Sequence, residues 1–215
     1  MNKVLISVLV LLAVVVGGFA MFYFYGAGVR DKAIAHQETV KESWGNVQSA
    51  YQRRADLIGN LVETVKGAAA TETNILIGVT EARSGIVRYA DSVSTVIDQQ
   101  KEQLKNAKTP AELQQGDVMM MNTYRGFRGF LSENYPDLKS IQNFGMLQTE
   151  LEGTENRIKT ERDRYNESVK EYNTYIRGTW RKMALGLVAD DADELTVREM
   201  FEAKEGADEA PKVQF

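Results

Sequence analysis

The sequence contains no cysteine, one histidine and three prolines among its 215 residues. Without cysteine, the chain cannot form disulfides, thiolate metal sites or thiol nucleophiles. Because His36 is the single histidine, two-histidine metal sites and histidine-paired phosphoryl relays are also excluded. The net charge of −4 argues against broad binding to a phosphate backbone, which needs clustered Lys and Arg, so we expect no nucleic-acid partner.

Charge is also missing from one long stretch near the N-terminus. Residues 4–25 contain no charged side chain, and almost all of them are apolar. As a helix this stretch would be about 33 Å long, which matches a hydrocarbon core of about 30 Å. Its last four residues, FYFY, form an aromatic cluster typical of the headgroup interface. The stretch predicts a single transmembrane helix that contacts the lipid bilayer through residues 4–25.

Two questions about this segment have alternative answers: whether it is a cleaved signal peptide, and which way it is oriented in the membrane. Gly18-Phe19-Ala20 has the small residues of a signal-peptide cleavage site, but the apolar run continues past it and is longer than a signal peptide requires. Lys3 precedes the segment, whereas Arg30, Lys32 and Lys41 follow it. This excess of positive charge favours a cytoplasmic domain with the N-terminus outside. We therefore predict a single-pass protein of the cell membrane.

The scarcity of proline permits long helices in the rest of the chain. Proline occurs only at positions 110, 136 and 211. Between these positions, apolar residues recur at alternating steps of three and four, the heptad pattern of coiled coils and helical bundles. This pattern predicts four helices, at residues 31–67, 72–106, 110–133 and from about 138 to 182.

The third of these helices has a clear start signal in Thr109-Pro110-Ala111-Glu112, in which Thr109 can cap and Glu112 can return the capping bond. Four long segments with short connections predict an all-α fold. We expect an N-terminal transmembrane helix followed by an antiparallel up-and-down four-helix bundle.

The predicted domain organisation has three parts. Residues 1–29 form the transmembrane anchor, residues 30–184 the bundle, and residues 185–215 an acidic C-terminal tail. Within the tail, residues 195–201 form a short amphipathic patch. The acidic composition beyond this patch predicts disorder.

Charged residues interrupt the predicted apolar seams at three positions. Arg54 lies on the seam of the first helix, and Glu155 and Arg162 lie on that of the fourth. Buried charges need partners, so we predict an ion-pair network of Arg54, Glu155 and Arg162 that fixes helix register. Arg53, Arg54 and Asp56 form a charged motif in the same region. The alternative interpretation of these charges is a polar pocket for an anionic ligand.

The remaining patterns do not indicate catalysis. His36 is predicted to lie on an exposed helix close to the membrane, where a lone histidine is usually solvated. The sequence has no Glu-x-x-His pair, no loop of alternating acids and no glycine-rich phosphate loop. We therefore predict no catalytic, cofactor-binding or metal-binding residues, no cofactor and no enzymatic activity.

Several long motifs resemble the LemA family. They are residues 51–67 (YQRRADLIGNLVETVKG), 133–139 (ENYPDLK), 155–158 (ENRI) and 210–215 (APKVQF). The resemblance covers nearly the whole chain. It implies an N-terminal membrane anchor, an extracellular N-terminus and a four-helix up-and-down bundle.

The resemblance implies no particular activity, because the molecular function of the family is uncertain. Its members are often encoded near membrane zinc metalloproteases, which implies such a protease as a partner. Two positions depart from the family pattern. Gly59 stands where the family has proline, and Gly178-Thr179-Trp180 stands where a Phe-Pro pair is expected.

The prediction for function is a membrane-anchored scaffold or adaptor that acts through protein–protein contacts or self-assembly. Ala13 and Gly17 would let two membrane helices touch, which is consistent with a homo-oligomer. One alternative is a ligand-binding module or enzyme that uses the buried charges of the bundle. Another is an oligomeric membrane-shaping protein.

Overall fold

A computed structural model describes residues 3–71, 80–134 and 142–202. This part of the chain is helical and contains no strand, which confirms the all-α fold class. In chain order, its helices are α1 (Lys3–Thr71), α2 (Thr80–Asn106), α3 (Pro110–Asn134), α4 (Gln142–Arg177) and α5 (Thr179–Val188), followed by a 3₁₀ turn at Asp191–Asp193.

Helix α1 is longer than the sequence predicted. We expected an anchor and a separate helix beginning near residue 31, but α1 is continuous from Lys3 to Thr71. Glycine lowers helix propensity at positions 26 and 28, yet the helix continues through both. A Cβ atom added at Gly26 would lie 3.1 Å from both methyl carbons of Val188, so the two helices are already in close contact there. The proline-to-glycine departure at Gly59 also lies within the unbroken helix.

The first part of α1 is exposed. It contains an apolar stretch long enough to cross a membrane, and none of that stretch is buried in the described structure. The large side chains that face outward include Val4, Leu9, Leu12, Val16, Phe19 and Phe24. A helix that is apolar on all sides and exposed is suited to a hydrocarbon environment.

The chain divides into two compact units. The first unit comprises Met1–Ser43 and Tyr165–Met200, and the second comprises Trp44–Arg164 and Phe201–Phe215. Helices α1 and α4 each contribute residues to both units.

The second unit contains the antiparallel four-helix bundle. Lys66 of α1 pairs with Asp91 of α2 at 2.7 Å, and Asp56 pairs with Lys101 at 3.1 Å. As residue numbers rise along α1 they fall along α2, so the two helices run in opposite directions.

Helices α2 and α3 form the next antiparallel pair. The ring centroids of Tyr89 and Phe130 are 4.4 Å apart, and the Gln100 amide donates to the Thr123 hydroxyl at 3.4 Å. Leu57, Val62 and Tyr124 are buried in the bundle although they lie outside the predicted seams. The buried residues that lie on the predicted seams are Val47, Tyr51, Ile58, Leu61, Val65, Ile86, Val93, Ile97, Leu104, Leu113, Met120, Phe127, Leu131, Leu151 and Ile158.

The predicted start of α3 is confirmed, with one change in the capping bonds. The Glu112 N–H donates to the Thr109 hydroxyl at 3.2 Å, as expected for an N-cap. The Glu112 carboxylate accepts from the Lys108 N–H at 2.8 Å, one residue before the cap.

In the first unit, the fourth predicted helix is interrupted. We expected it to continue to residue 182, but α4 ends at Arg177 and α5 begins at Thr179. Gly178 between them has extended backbone, with φ −59° and ψ 131°. The bend turns the following helix so that Ala184 and Leu185 become buried, which explains why a new helix is favoured over a straight continuation.

Residues 190–202 have a defined path that their acidic composition did not predict. Asp190 caps the 3₁₀ turn, and its side chain and that of Asp193 form a capping box. Residues 195–202 then have no helix or strand, and Phe201 is buried. The acidic end beyond residue 202 lies outside the described residues, as do the predicted start of the second helix at residue 72 and most of the motif at 133–139.

Candidate functional site

Among the described residues of the bundle, Arg54 is the most buried charged residue, with only 3% of its side chain exposed. Its Nη1 atom donates to both carboxylate oxygens of Asp117, each at 2.9 Å. Its Nη2 donates to Glu155 Oε1 at 3.1 Å, and its Nε donates to the Thr154 hydroxyl at 3.3 Å. We call these four residues the Arg54 centre. It joins helices α1, α3 and α4 within the second unit.

Asp117 is the charged member of the centre that the sequence analysis missed. It lies between Leu113 and Met120 on the buried face of α3, at steps of four and three residues. The sequence therefore contained a signal for Asp117, because the same heptad pattern that identified Arg54 also includes Asp117.

The predicted network of Arg54, Glu155 and Arg162 is found in part, because Arg54 pairs with Glu155 as expected, whereas Arg162 donates to the Glu202 carbonyl oxygen. Glu155 contacts Arg54, but 67% of its side chain is exposed. Only its carboxylate reaches inward, so water solvates most of this residue. Arg162 is half-buried, donates to the Glu202 carbonyl oxygen at 3.1 Å and lies over the Phe201 ring at 4.9 Å. The predicted network thus separates into two groups of contacts.

The charged motif is also divided, because consecutive residues of a helix point about 100° apart. Arg53 and Asp56 are exposed, whereas Arg54 points into the core. Asp56 pairs with Lys101 on the neighbouring helix. These three residues therefore do not line one pocket.

Tyr51 lies one helical turn before Arg54 and is almost completely buried. Burial raises the pKa of its phenol to about 12, with a further increase from the nearby Asp117 carboxylate. Arg162 and Arg54 oppose this shift only in part. Tyr51 is consequently neutral at physiological pH and unsuited to act as a base.

The Arg54 centre is an internal network of ion pairs and hydrogen bonds that connects neighbouring helices. All three guanidinium nitrogens donate to side chains of other helices, and Thr154 in turn donates to the Leu151 carbonyl oxygen at 2.6 Å. Across the described residues, no three His, Asp or Glu side chains are grouped closely enough to hold a metal ion.

In the first unit, the segment of residues 194–199 is held through its backbone. The Asn173 side chain donates to the Arg198 carbonyl oxygen at 2.8 Å and accepts from the Arg198 N–H at 2.9 Å. The Tyr165 hydroxyl donates to the Glu199 carbonyl oxygen at 3.0 Å, and the Gln37 amide donates to that of Glu194 at 3.4 Å.

In the second unit, the next two residues are held in a comparable way. The Phe201 ring stacks on Trp44 at 6.1 Å and lies under the Arg162 guanidinium. The Glu202 carbonyl oxygen accepts from both Arg162 and Gln114.

Two further polar side chains of the first unit, Arg30 and His36, follow the apolar stretch. Arg30 donates to the two carboxylate oxygens of Asp193 at 2.6 and 2.8 Å, and these bonds lower the pKa of Asp193. His36 was expected to be solvated on an exposed face. Instead it is half-buried, because its ring lies 5.1 Å from that of Tyr175.

These features define a class: all-helical proteins with an antiparallel bundle and an N-terminal helix of membrane-spanning length. The family model described as the LemA family matches residues 43–215. The chain therefore belongs to the LemA family.

Similar curated proteins include magnetosome protein MamQ 2 of Paramagnetospirillum magneticum, which is 26% identical over 160 residues, covering 70% of this chain and 58% of that protein. Protein LemA of Metamycoplasma hominis is 24% identical over 160 residues, covering 74% of this chain and 65% of that protein. MamQ of Magnetospirillum gryphiswaldense is 26% identical over 157 residues, covering 69% and 57%. The chain thus spans about three fifths of the length of these relatives, and none of their names states a catalysed reaction.

Proposed function

We propose that this LemA-family protein is a membrane-anchored scaffold or adaptor, whose bundle binds other proteins or further copies of itself. The observation that carries the proposal is the continuity of α1. The same helix includes the exposed apolar stretch of residues 4–25 and the first helix of the bundle. Insertion of the stretch into a bilayer would tether the bundle to that membrane.

The Arg54 centre supports a binding role over an enzymatic one. Its charged groups already neutralise each other through direct hydrogen bonds, and a side chain engaged in this way serves helix register. The exposed faces of the four helices, by contrast, are available for contacts, and a specific interface needs only about 800 Å² on each partner.

Two kinds of partner follow from the sequence. A second copy could associate through Ala13 and Gly17 of the membrane helix. The family resemblance adds a membrane zinc metalloprotease. In our proposal the bundle lies in the cytoplasm, as the excess of Lys and Arg after the apolar stretch favours.

Crosslinking in native membranes, followed by mass spectrometry, tests the proposal. A photoreactive residue is placed at the exposed Arg53, and in a matched variant at the buried Val47. We expect crosslinks to one or a few defined proteins, or to a second copy, from position 53 only. A parallel screen of the purified chain for hydrolase and transferase activity should show no turnover.

Two results would contradict the proposal. One is reproducible turnover that disappears in Asp56→Asn or Glu155→Gln variants while no crosslinked partner is found. The other is release of the chain from membranes by alkaline carbonate, which would show that residues 4–25 do not anchor it.

A further inference from the structure

Helix α5 has an apolar stripe on its exposed face. Trp180, Met183 and Leu187 are 69%, 59% and 46% exposed. They are three and four residues apart, so they lie in one row along the helix. Leu185 is buried on the opposite face, and the buried Ala184 borders the stripe, four residues after Trp180. Three large apolar side chains on a helix of ten residues are more than a solvated helix requires.

The position of α5 in the first unit places this stripe beside the membrane-spanning segment. At its C-terminal end, Val188 is close enough to α1 that an added Cβ on Gly26 would be 3.1 Å from its methyl carbons. Gly26 directly follows the apolar stretch. At the other end, Arg181 lies 4.5 Å from the ring of Tyr175, which contacts His36 of α1. Helix α5 therefore runs alongside α1 towards the membrane, and Leu187 is the stripe residue nearest to it.

The charged residues near the stripe do not favour a charged partner. Lys182 is exposed on α5, but Asp190 and Asp191 are exposed just after it. These groups carry no excess of positive charge, so they provide no attraction to anionic headgroups. Binding at this surface would come from burial of apolar area, at about 25 cal/mol per Å².

We propose that α5 is a second membrane contact, which inserts its C-terminal half into the headgroup layer of the bilayer that α1 spans. This layer is about 5–8 Å deep on each side of the hydrocarbon core, which corresponds to about four or five residues of a helix that runs towards the membrane. The proposal rests on the proposed membrane anchoring, because α1 brings α5 to the surface. Trp180, at the far end of the stripe, lies at the outer edge of the layer, where tryptophan is favoured.

The two tryptophans of the chain allow a direct test. The full-length protein is reconstituted into vesicles of phosphatidylcholine or of brominated phosphatidylcholine, which quenches tryptophan fluorescence on contact. Three single-tryptophan proteins are compared. One keeps Trp180 in a Trp44→Phe background, and one keeps Trp44 in a Trp180→Phe background. The third carries Leu187→Trp with both native tryptophans replaced by Phe.

We expect the strongest quenching and the largest blue shift at position 187, weaker quenching at Trp180, and none at Trp44, which stacks on Phe201. Equal emission of all three proteins in ordinary and brominated vesicles would overturn the proposal. The proposal would also be overturned if position 187 were not quenched and crosslinks between copies were found, since a second copy would then cover the stripe.

Carbonate extraction of the same vesicles separates this inference from the anchoring proposal. If the protein stays in the vesicles but position 187 is not quenched, only the role of α5 is wrong. If the protein is extracted, the anchor itself is wrong. A Leu187→Ser variant that retains its far-ultraviolet circular dichroism should leave anchoring intact and increase the exposure of Trp180 to an aqueous quencher.

Discussion

At the scale of single residues, the two carboxylates around Arg54 differ greatly in their exposure to water. Asp117 is 17% exposed and accepts two hydrogen bonds, whereas Glu155 is 67% exposed and accepts one. An ion pair shielded from water depends on both partners, because removing one leaves the other charge buried. A solvated carboxylate contributes much less.

Replacing Asp117 should therefore destabilise the bundle far more than replacing Glu155. We expect Asp117→Asn to lower the free energy of unfolding by about 3–5 kcal/mol, and Glu155→Gln by about 0–1 kcal/mol. Chemical unfolding of the purified chain in detergent measures both, with Arg53→Gln as a surface control. Equal losses for the two variants would show that Glu155 is the main partner of Arg54.

The Arg30–Asp193 pair should make the segment at 190–193 sensitive to acid. The pKa of Asp193 is lowered mainly by its hydrogen bonds from Arg30. The pair therefore stabilises the fold above the ordinary carboxyl pKa of about 3.9, and this contribution is lost as the pH falls through the lower folded value.

Hydrogen exchange of the amides at residues 190–193 measures this effect, after correction for the pH dependence of intrinsic exchange. Protection should fall below about pH 4 in the wild type. In Arg30→Gln it should already be low at neutral pH and change little on acidification. If the two proteins behave alike, the pair does not hold the segment.

At the scale of helices, the features that depend on local periodicity were predicted from the sequence. The features that depend on long-range contacts were not. The seam of residues 40–65 and the start of α3 at Thr109 followed from local spacing. The continuity of α1 through Gly26 was missed, and at this glycine the helix lies against Val188, which is distant in sequence. The path of residues 190–202 depends on distant side chains such as Asn173, which composition does not reveal.

The prediction of the Arg54 centre was limited in the same way, because contacts between distant residues cannot be read from spacing. Arg54 was identified because a charge on an apolar seam is unusual, and Asp117 on α3 satisfies the same criterion. The separation of Arg162 from the Arg54 centre could not be predicted, because it depends on Glu202 and Phe201 near the end of the chain.

Two glycines in the bundle should respond in opposite ways to alanine. A Cβ at Gly116 would lie 3.0 Å from Leu104 Cδ2, and Leu104 is fully buried. We expect Gly116→Ala to cost about 1–3 kcal/mol through overpacking, reduced in part by better helix propensity. At Gly59 the nearest atom is the mobile Lys101 Nζ at 3.2 Å. Gly59→Ala should therefore gain about 0.5–1 kcal/mol.

Thermal unfolding of the two variants beside the wild type measures this difference. A gain in stability for both would mean that α2 and α3 are less tightly packed at Gly116 than the distances indicate.

At the scale of the whole molecule, the family and the membrane segment are supported by different residues. The LemA match begins at residue 43, whereas the apolar stretch ends near residue 25. Membrane anchoring therefore rests on the apolar residues of this chain and not on the family match. Its orientation rests on the charges that follow the stretch, of which Arg30 and Lys41 are paired with Asp193 and Glu38.

Protease added to intact cells tests the predicted orientation. With the bundle in the cytoplasm, the chain should remain uncut until the cells are lysed. Digestion without lysis would reverse the orientation but leave the anchor unchanged. The mass of the intact chain from the same membranes checks the alternative of cleavage after Ala20, because a cleaved protein would lack the first part of α1.

The way in which residues 194–202 are held has a consequence for how this part of the protein can evolve. The hydrogen bonds from Gln37, Asn173, Tyr165 and Arg162 engage its main chain, which is the same for almost every amino acid. Phe201 is the side chain that fills a buried position. The surrounding side chains can thus change between species, or carry an engineered epitope, under three conditions. An aromatic residue must remain at 201, position 194 needs a residue that accepts a φ of 47°, and proline is excluded from 196 and 198, where the N–H is needed.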